Sequence, residues 1–558
     1  MNIDATTRPA PPPAAAEVEA APSTLPWLGA AAAASLAACG GSSSDAAPPP
    51  PPPTALTAAE AARFLGQAGF AASDAEIARV QALGASAWLD DQFTQPRTQG
   101  HHDWMVARGY AVDTNINNFA GTDNTIWRKL ISSPDALRQR VTLALSEIFV
   151  ISMAGLPVNW RGLVTAAYLD VLESQAFGSY RALLEAVTLS PGMGLYLNMR
   201  GNQKEDARTG RAPDENYARE VLQLFSIGLV ELAADGTPRN GVATDTYGQD
   251  TVAGLARVFT GWDFDRFSRT DPSWTQRPMV FNASLHSDGA KSFLGTTVAA
   301  GTAGPAALSA ALDAIANHAN VAPFIGRQLI QRLVCSNPSA AYVGRVAAVF
   351  NDNGAGLRGD LKAVIKAVLL DSEARRAPAA SDTARGKLRQ PIQRFVQWAR
   401  TFKLGSPTGL WDVGNLSDPA SRLGQSPLRA PSVFNFYRPG YVPPNSALGR
   451  QGITAPEFQI TNESTVVGWA NYAQTFIANG PGETVPDYSA ELALATDAAA
   501  LVRRVALLLA ADGLAADTLA TITSAVTSIA AATDVGKLNR VYAAIHLVLC
   551  APEYLVQI

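Results

Sequence analysis

Cysteine and histidine are scarce in this sequence, with 3 Cys and 5 His among 558 residues. No two cysteines form a C-x-x-C pair, which is the usual ligand spacing of structural zinc sites. We therefore expect no metal site of this kind. For the two thiols in the body of the chain, Cys335 and Cys550, the sequence leaves open whether they form a disulfide or stay as buried thiols.

Runs of positive charge are also absent. The chain has 44 Lys and Arg against 48 Asp and Glu, a net charge of −4, and no basic stripe. Proteins that bind nucleic acid need such a stripe to neutralise phosphates, so nucleic acid is not an expected partner. Neither a Walker-type loop nor a G-x-S-x-G elbow occurs, which argues against a nucleotide partner and against an α/β-hydrolase. The sequence assigns no cofactor.

The N-terminus has the pattern of an export signal followed by a tether. An apolar run at 25–38 is too short to span a bilayer but has the length of a signal-peptide core. It ends in LAAC (36–39), which resembles the lipobox of bacterial lipoproteins. That resemblance implies a signal peptide over 1–38, lipidation of Cys39 and a disordered Gly/Ser/Pro-rich tether over 39–55. The alternative is an Ala/Pro-rich leader with a chance cysteine.

These signals predict where the protein is found. We expect an exported protein of the bacterial cell envelope, anchored to a membrane by the lipid on Cys39 alone. Gly40 after the cysteine is compatible with sorting to the outer membrane. The expected product is an outer-membrane or periplasm-facing lipoprotein.

From residue 56 onward the pattern is mainly helical. Thr57–Glu60 and Ser73–Glu76 match the capping box, and Ser133-Pro134-Asp135 predicts a helix with Ser133 as N-cap and Pro134 at the first position. We expect an all-α fold: one large multi-helix globular domain over 56–558, undivided or in two lobes, with long ordered loops and at most minor β-hairpin content. Further helices are predicted at 161–176, 178–189, 213–228, 250–260, 305–317, 321–334, 339–351, 358–371, 388–403, 457–478, 488–511, 515–531 and 536–549.

Three connections are long and irregular, at 191–212, 261–300 and 405–456. Loops of this length in a compact domain are usually functional or disordered. Their aromatic and charged residues are a poor composition for disorder, so we expect ordered loops packed over helix ends. A short strand is compatible with 278–282.

The predicted helix PDENYAREVLQLFSIG (213–228) has one apolar side and one densely polar side. A second polar cluster, GNQKED (201–206), lies shortly before it. We expect the polar side of the helix to face this loop rather than bulk water. Two interpretations stay open: the two clusters line one cleft, or they form a buried structural network of ion pairs.

Several segments resemble the bacterial family called domain of unknown function 1800. They are PDENYAREVLQLFSIGLVEL (213–232), LRQRVTLALSEIFVIS (137–152), TLSPGMGLYLNMRGNQKED (188–206), LARVFTGWDF (255–264), HSDGAKSFLG (286–295), RAPSVFNFYRPGYVPP (429–444) and the final APEYLVQI. The resemblance implies an exported, mostly helical protein that works with a sulfatase-like exported partner. Some relatives carry a Trp-His-Asn-His-Phe-like segment where this chain has LSEIF (145–149), so no metal role of such a His pair is carried over.

The polar residues suggest a chemistry. Carboxylates in two different environments can act as acid and base, as glycoside hydrolysis requires, and His286 beside Asp288 suits a general base. The alternatives are that His286 is a hydrogen-bonding strut, as a lone loop histidine more often is, and that Trp262 fills the core. The predicted catalytic residues are Glu205, Asp206, Glu215, Glu220 and His286. The predicted substrate-binding residues, chosen for hydrogen bonding, charge or ring stacking, are Asn202, Lys204, Asn216, Arg219, Trp262, Lys291 and Arg438.

Two functions of different class follow from these candidates. The first is an exported hydrolase or lyase that acts on an extracytoplasmic polymer such as a glycan. The second is a non-catalytic envelope scaffold or binding protein that works with the sulfatase-like partner. The first requires the carboxylates to open into a cleft, whereas the second allows them to be sealed in mutual ion pairs.

Overall fold

The computed structural model describes residues 55–376, 379, 382 and 384–558. The predicted signal peptide, Cys39 and the tether up to residue 54 lie outside this part of the chain. Residues Ala55–Ile558 form a single compact unit. Across the described residues, no helix is both long enough and apolar enough to cross a membrane.

The described residues are mostly helical, as predicted. The helices of the N-terminal part are α1 (Ala58–Ala68), α2 (Asp74–Leu83), α3 (Ala85–Thr94), α4 (His101–Ala107), α5 (Thr122–Ser132), α6 (Ala136–Ser146), α7 (Arg161–Gln175), α8 (Tyr180–Thr188) and α9 (Pro191–Tyr196). The helices of the middle part are α10 (Asn216–Gln223), α11 (Gln249–Val258), α12 (Gly304–Asn317), α13 (Val321–Leu333), α14 (Ala340–Asn351), α15 (Leu361–Leu370), α16 (Ser372–Arg375) and α17 (Pro391–Thr401). The helices of the C-terminal part are α18 (Ala447–Arg450), α19 (Glu463–Asn479), α20 (Ser489–Leu492), α21 (Ala498–Ala510), α22 (Ala516–Thr527), α23 (Asp534–Cys550) and α24 (Pro552–Leu555).

The β-structure of the described residues consists of short antiparallel pairs, which fits the expected minor hairpin content. β1 (Trp262–Asp263) pairs with β2 (Val280–Phe281), so the strand predicted around 278–282 forms. β3 (Lys291–Phe293) pairs with β4 (Thr296–Val298) in a hairpin. β5 (Lys387–Leu388) pairs with β6 (Val556–Gln557), which fastens the C-terminus of the chain beside α17.

Local capping signals explain where several helices begin. Thr57 and Glu60 form the predicted capping box, in which each side chain accepts a hydrogen bond from the other residue's backbone N–H. Ser73 caps α2 from one side only, by accepting from the Glu76 N–H. At α6 the N-cap is Asp135 rather than the predicted Ser133, whose hydroxyl donates to the Asp135 carboxylate.

Two helices lie at the centre of the packing. α7 packs against α4, α6, α8 and α9, and its residues Tyr168 and Leu172 are fully buried. α13 packs against α14, α15 and α6. A large apolar core surrounds both helices, and it includes Trp127, Trp274 and Trp398. Cys335 is buried and Cys550 partly buried, and both are free thiols.

The helix predicted at 213–228 is much shorter in the structure than in the prediction. It begins at Asn216 and ends at Gln223. The chain then turns and passes through Gly228 at φ +71°, a left-handed conformation that favours glycine. A Cβ at Gly228 would lie 2.7 Å from the Phe324 ring of α13, so the turn is held against that helix.

Other differences have clear local causes. The predicted helix at 488–511 divides into α20 and α21, because the Asp497 side chain accepts from the Ala500 N–H and starts a new helix. The predicted helix at 457–478 begins only at Glu463, after the Asn462 cap. Within the predicted loop at 191–212, Pro191 opens the short helix α9.

Candidate functional site

The two polar clusters singled out in the sequence are joined through backbone groups. The buried Asn202 side chain donates to the Asp214 carbonyl (3.1 Å) and accepts from the Asp214 N–H (2.8 Å). The Asn202 carbonyl also accepts from the Gly261 N–H at 2.9 Å. Asn202 thus ties the 201–206 loop to the start of α10 and to β1, and its hydrogen bonds are used for structure.

The polar side of α10 does not face inward as a whole. Glu215 and Arg219 form an ion pair of 3.0 Å with side chains 33% and 44% exposed. Gln249 donates to both Glu215 oxygens at 2.8 Å. Asn216 is partly buried, and its N–H donates to Asp214 Oδ1. This part of the helix therefore lies at the surface, where such pairs contribute little stability.

Glu220 is the exception on α10. It is buried, and its Oε2 has no hydrogen-bond partner among the described residues. Burial raises the pKa of Glu220, although the neighbouring Arg219 charge lowers it. The hydroxyl of the nearby Tyr247 also lacks a partner within the described part, and burial raises the pKa of Tyr247.

Glu205 belongs to a second group of residues, formed by the 201–206 loop and the β1–β3 region. Ser287 Oγ donates to Glu205 Oε1 (3.1 Å), and Arg257 Nε lies 3.9 Å from the same oxygen. Partial burial raises the pKa of Glu205, but the backbone and Ser287 hydrogen bonds outweigh it and the net shift is downward. Lys204 pairs with Asp288 at 3.1 Å. The carboxylate of Glu205 is therefore stabilised in its charged form.

Asp206 has a separate, local role. Its backbone pairs with Arg211 in a tight turn, and Oδ1 accepts from the Arg208 N–H at 2.9 Å. Hydrogen bonds from Thr209 and from the Arg208 backbone lower the pKa of Asp206. This pattern is that of a turn-stabilising aspartate.

His286, Lys291 and Trp262 are buried in the loop region after α11. His286 Nδ1 lies 2.9 Å from the Thr260 carbonyl, and burial lowers the pKa of His286. Lys291 Nζ donates to the Ser287 and Gly289 carbonyls at 2.8 and 3.0 Å, and burial lowers its pKa as well. The Trp262 ring packs on Phe281, with 5.6 Å between ring centroids. Lys291 and His286 Nδ1 thus hold the loop backbone in place, whereas His286 Nε2 and Trp262 Nε1 are buried without a hydrogen-bond partner among the described residues.

A cavity of about 480 Å³ lies on another part of the molecule, beside α13. Of the predicted site residues, only Arg438 lines it. We call it the α13 cavity. Its volume is within the range of small-molecule sites. Its apolar wall includes Ile148, Leu224, Leu229, Val230, Phe324 and Val433.

One face of α13 forms the polar side of the α13 cavity. After the apolar Phe324, the polar residues Arg327, Gln328, Gln331 and Arg332 follow at the i+3, i+4, i+7 and i+8 spacing of a single helix face. Such a polar stripe usually meets water. Here Gln328, Gln331 and Arg332 are buried, at 5%, 2% and 2% exposure.

Glu147, Gln328, Gln331 and Arg332, all buried, form what we call the floor of the α13 cavity. Arg332 Nη2 donates to the Glu147 carbonyl (2.9 Å), and Arg332 Nε lies 3.6 Å from Glu147 Oε2. Tyr437 donates to the same carboxylate oxygen at 3.3 Å. Four atoms of the floor make no hydrogen bond with the described residues: Glu147 Oε1, Gln328 Nε2, Gln331 Oε1 and Arg332 Nε. The protein leaves part of the hydrogen-bonding capacity of this floor unused.

Positive charge exceeds negative charge around this floor. The buried Arg140 donates to the Arg332 carbonyl at 2.6 Å, and the buried Lys387 pairs with Glu457. Burial lowers the pKa of Arg140 to about 10, within the range where a guanidinium keeps its proton at neutral pH. Three buried cations, Arg140, Arg332 and Lys387, thus accompany the two carboxylates Glu147 and Glu457.

A second polar cluster includes His101, Asp170 and Glu173, whose ligand-type atoms lie within 4.8 Å of one another. Lys129 Nζ lies 2.8 Å and Arg97 Nε 3.3 Å from Glu173 Oε1. These two cations already supply the positive charge that a metal ion would bring. The cluster is a buried ion-pair network between α4, α5 and α7.

Sequence reasoning missed most of the α13 cavity, although signals for it were present. Glu147 is a lone acid within the apolar stretch ALSEIFVIS, and the polar stripe of α13 lies in a helix that is otherwise apolar. Moreover, three segments that carry the family resemblance, 137–152, 213–232 and 429–444, all contribute lining residues. Their convergence on one cavity becomes visible only in the fold.

Fold and cavity together define a large, mostly helical protein with a cavity of small-molecule size. The family described as "Protein of unknown function (DUF1800)" matches residues 63–556, nearly the whole chain, and the chain belongs to this family. No curated protein and no solved structure matches it. The family resemblance found in the sequence is thereby confirmed. The description of the family names no activity.

Proposed function

We propose that this protein is a binding protein of the cell envelope, and that it holds a small organic molecule in the α13 cavity. The observation that carries the proposal is the unused hydrogen-bonding capacity of a buried floor next to an apolar wall. Buried polar atoms are rarely left without partners, and a few polar groups in an otherwise apolar cavity are typical of ligand sites.

The unpartnered side chain of Arg327, which also lines the cavity, supports the proposal. It is partly buried, and it makes no hydrogen bond, ion pair or ring contact with any described residue. Burial lowers the pKa of Arg327. A guanidinium that is withdrawn from water without a partner costs free energy, and a bound molecule would offset that cost.

The proposal extends to location and partner. We place the protein outside the cytoplasm, anchored through the lipid on Cys39, as the N-terminal sequence pattern favours. We also keep the predicted cooperation with a sulfatase-like exported protein, which rests on the family resemblance. A binding protein held at a membrane could deliver its ligand to such a partner.

A hydrolase or lyase that acts on an extracytoplasmic polymer is the second candidate, and Glu220 is the observation that favours it. Its raised pKa suits a general acid. Glu215 and Glu205, however, are engaged by Arg219 and Ser287. Because this chemistry needs a second carboxylate across a substrate cleft, ligand binding has more support. Release of reducing ends from envelope glycans, abolished by Glu220→Gln, would establish the second candidate.

Ligand-observed NMR with a set of small organic acids, alcohols and amides tests the binding function. Val433→Trp places a bulky ring at the wall of the α13 cavity, and Val535→Trp puts the same ring at a site 69% exposed, as a matched control. We expect compounds that bind the wild-type protein and the control but not Val433→Trp. Equal binding to all three proteins, or no binding to any, would contradict the proposal.

A further inference from the structure

We infer that the ligand of the α13 cavity is an organic anion, whose negative group pairs with Arg327 and whose apolar body lies against the wall. The inference rests on the proposed binding function and adds the chemical class of the ligand. Three arginines line the cavity, Arg327, Arg332 and Arg438, against one carboxylate, Glu147. The cavity therefore carries a net positive charge.

The three arginines differ in what already engages them. Arg332 is bound to the Glu147 carbonyl and lies close to the carboxylate of the same residue. Arg438 is exposed and lies over the Phe434 ring, 4.6 Å from its centroid. Arg327 alone among them has no partner within the described residues. It is consequently the arginine that is available to a ligand.

The charges behind the floor add to this imbalance. Arg140 and Lys387 are fully buried there, and Lys387 is neutralised by Glu457. Arg140 forms no direct ion pair with a carboxylate of the described residues, although the charges of Glu147 and Glu457 act on it, so three buried cations share two carboxylates. In a medium of low dielectric constant, an unbalanced cation strengthens the attraction for an incoming anion and disfavours a cation.

The apolar wall of the α13 cavity indicates that the part of the ligand beyond its charged group is apolar. Leu224, Phe324 and Val433 offer apolar surface to a molecule whose charged group pairs with Arg327. A free inorganic anion would leave this surface bare, whereas an alkyl or aromatic body would cover it. A guanidinium forms paired hydrogen bonds with a planar carboxylate, which makes an aryl or alkyl carboxylate the chemistry of best fit.

Four probes separate the parts of this inference, with affinities measured by titration calorimetry on the full mature chain. They are 4-phenylbutanoate, the neutral 4-phenylbutanamide, the cationic 4-phenylbutylamine and inorganic phosphate. We expect the carboxylate to bind about tenfold or more tightly than the amide, the increment of one charge-assisted hydrogen bond, and the amine not to bind. Phosphate is expected to bind far more weakly than the carboxylate.

Substitution of Arg327 supplies the matched comparison. Arg327→Gln should remove the preference for the carboxylate and leave amide binding unchanged, and Arg327→Lys should restore part of it. Arg208→Gln, at a side chain 85% exposed on the surface, is the control and should change nothing. Because Arg327 has no partner among the described residues and its withdrawal from water costs free energy, Arg327→Gln is expected to keep or exceed the wild-type Tm.

The outcomes distinguish the two proposals. If acid and amide bind equally, in wild type and in Arg327→Gln, the anion inference is overturned and the binding function stands. If phosphate binds as tightly as 4-phenylbutanoate, and its binding is lost in Arg327→Gln, the inference that the ligand has an apolar body is overturned. If no probe binds the folded wild-type protein while neutral compounds bind in the NMR screen, the anion inference is overturned and the binding function stands; if the screen is also negative, both proposals fall.

Discussion

Arg332 Nε lies 3.6 Å from Glu147 Oε2 at the floor of the α13 cavity, too far for a hydrogen bond although both side chains are about 95% or more buried. Arg332 reaches its partner's backbone carbonyl instead, at 2.9 Å. The two residues come from α13 and from the end of α6. Their pairing therefore fixes the position of one cavity wall relative to the other.

Loss of this pairing is expected to destabilise the fold. Glu147→Gln leaves Arg332 buried without its carboxylate partner, and breaking a buried pair from one side costs about 3–5 kcal/mol. The free energy of unfolding, measured by urea titration, should fall by about that amount. Arg332→Met should be destabilising for the same reason, since it leaves Glu147 buried and unpaired.

The double variant Glu147→Gln/Arg332→Met is the control for this prediction. It removes both charges, so its loss of stability should be smaller than the sum of the two single losses. Strictly additive losses would show that the two side chains do not interact, and that the floor is held by backbone contacts alone.

A second prediction concerns Gly228, at the turn where the chain leaves α10 and enters the cavity wall. Its φ of +71° disfavours any other residue, and an added Cβ would meet the Phe324 ring at 2.7 Å. Gly228→Ala should therefore cost about 1–3 kcal/mol for the clash in addition to about 1–2 kcal/mol for the backbone. Thermal and urea unfolding measure the total.

Gly201→Ala is the matched control for the Gly228 substitution. Gly201 has a similar φ, +75°, but an added Cβ there has no neighbour within 4 Å in the described part of the chain. It should show the backbone cost alone. Equal losses at the two positions would mean that the Phe324 ring moves aside freely, and that the wall of the α13 cavity is not fixed by this contact.

Much of the secondary structure could be predicted because its signals are local. The capping box at Thr57, the helical spacing over 161–176 and the mainly helical composition each depend on a few neighbouring residues. The end of α10 at Gln223 could not, because the helical pattern continues through 224–227. The Phe324 ring and the turn at Gly228 lie beyond the reach of that pattern.

The candidate site shows the same limit more sharply. The stripe at Arg327, Gln328 and Gln331 can be recognised in the sequence as one face of a helix, but a polar face normally meets water. Its burial follows from packing against 429–444 and 223–232, segments distant in the chain. By contrast, the density of charges near 201–220 drew attention to residues whose hydrogen bonds mostly stabilise turns and helix starts.

The third prediction concerns the membrane anchor. If Cys39 is lipidated, Cys39→Ser should abolish incorporation of radiolabelled palmitate and move the protein from the membrane fraction to the soluble fraction of expressing bacteria. Cys550→Ser, at a partly buried free thiol in the fold, is the control and should keep both the label and the membrane association. An unchanged fractionation of Cys39→Ser would refute lipid anchoring at this residue.

The last prediction uses the burial of Glu220. Its folded-state pKa is raised above the usual value of 4.5, chiefly by desolvation, so the folded protein binds this proton more tightly than the unfolded chain does. The stability that the protonated side chain contributes is present below pH 4.5 and is lost as the pH rises through the folded-state pKa. In Glu220→Gln the side chain is neutral at every pH, so the variant does not show this loss of stability.

The difference in unfolding free energy between Glu220→Gln and the wild type should therefore shift in favour of the variant as the pH rises from 4 to 8. Chemical unfolding at a series of pH values gives this difference directly. Glu215→Gln, at the N-cap of the same helix, should change stability by less than about 1 kcal/mol, because the ion pair with Arg219 and the hydrogen bonds from Gln249 that it alters are exposed. A difference for Glu220→Gln that is flat with pH, or that shifts toward the wild type, would mean that Glu220 finds a charged partner in solution.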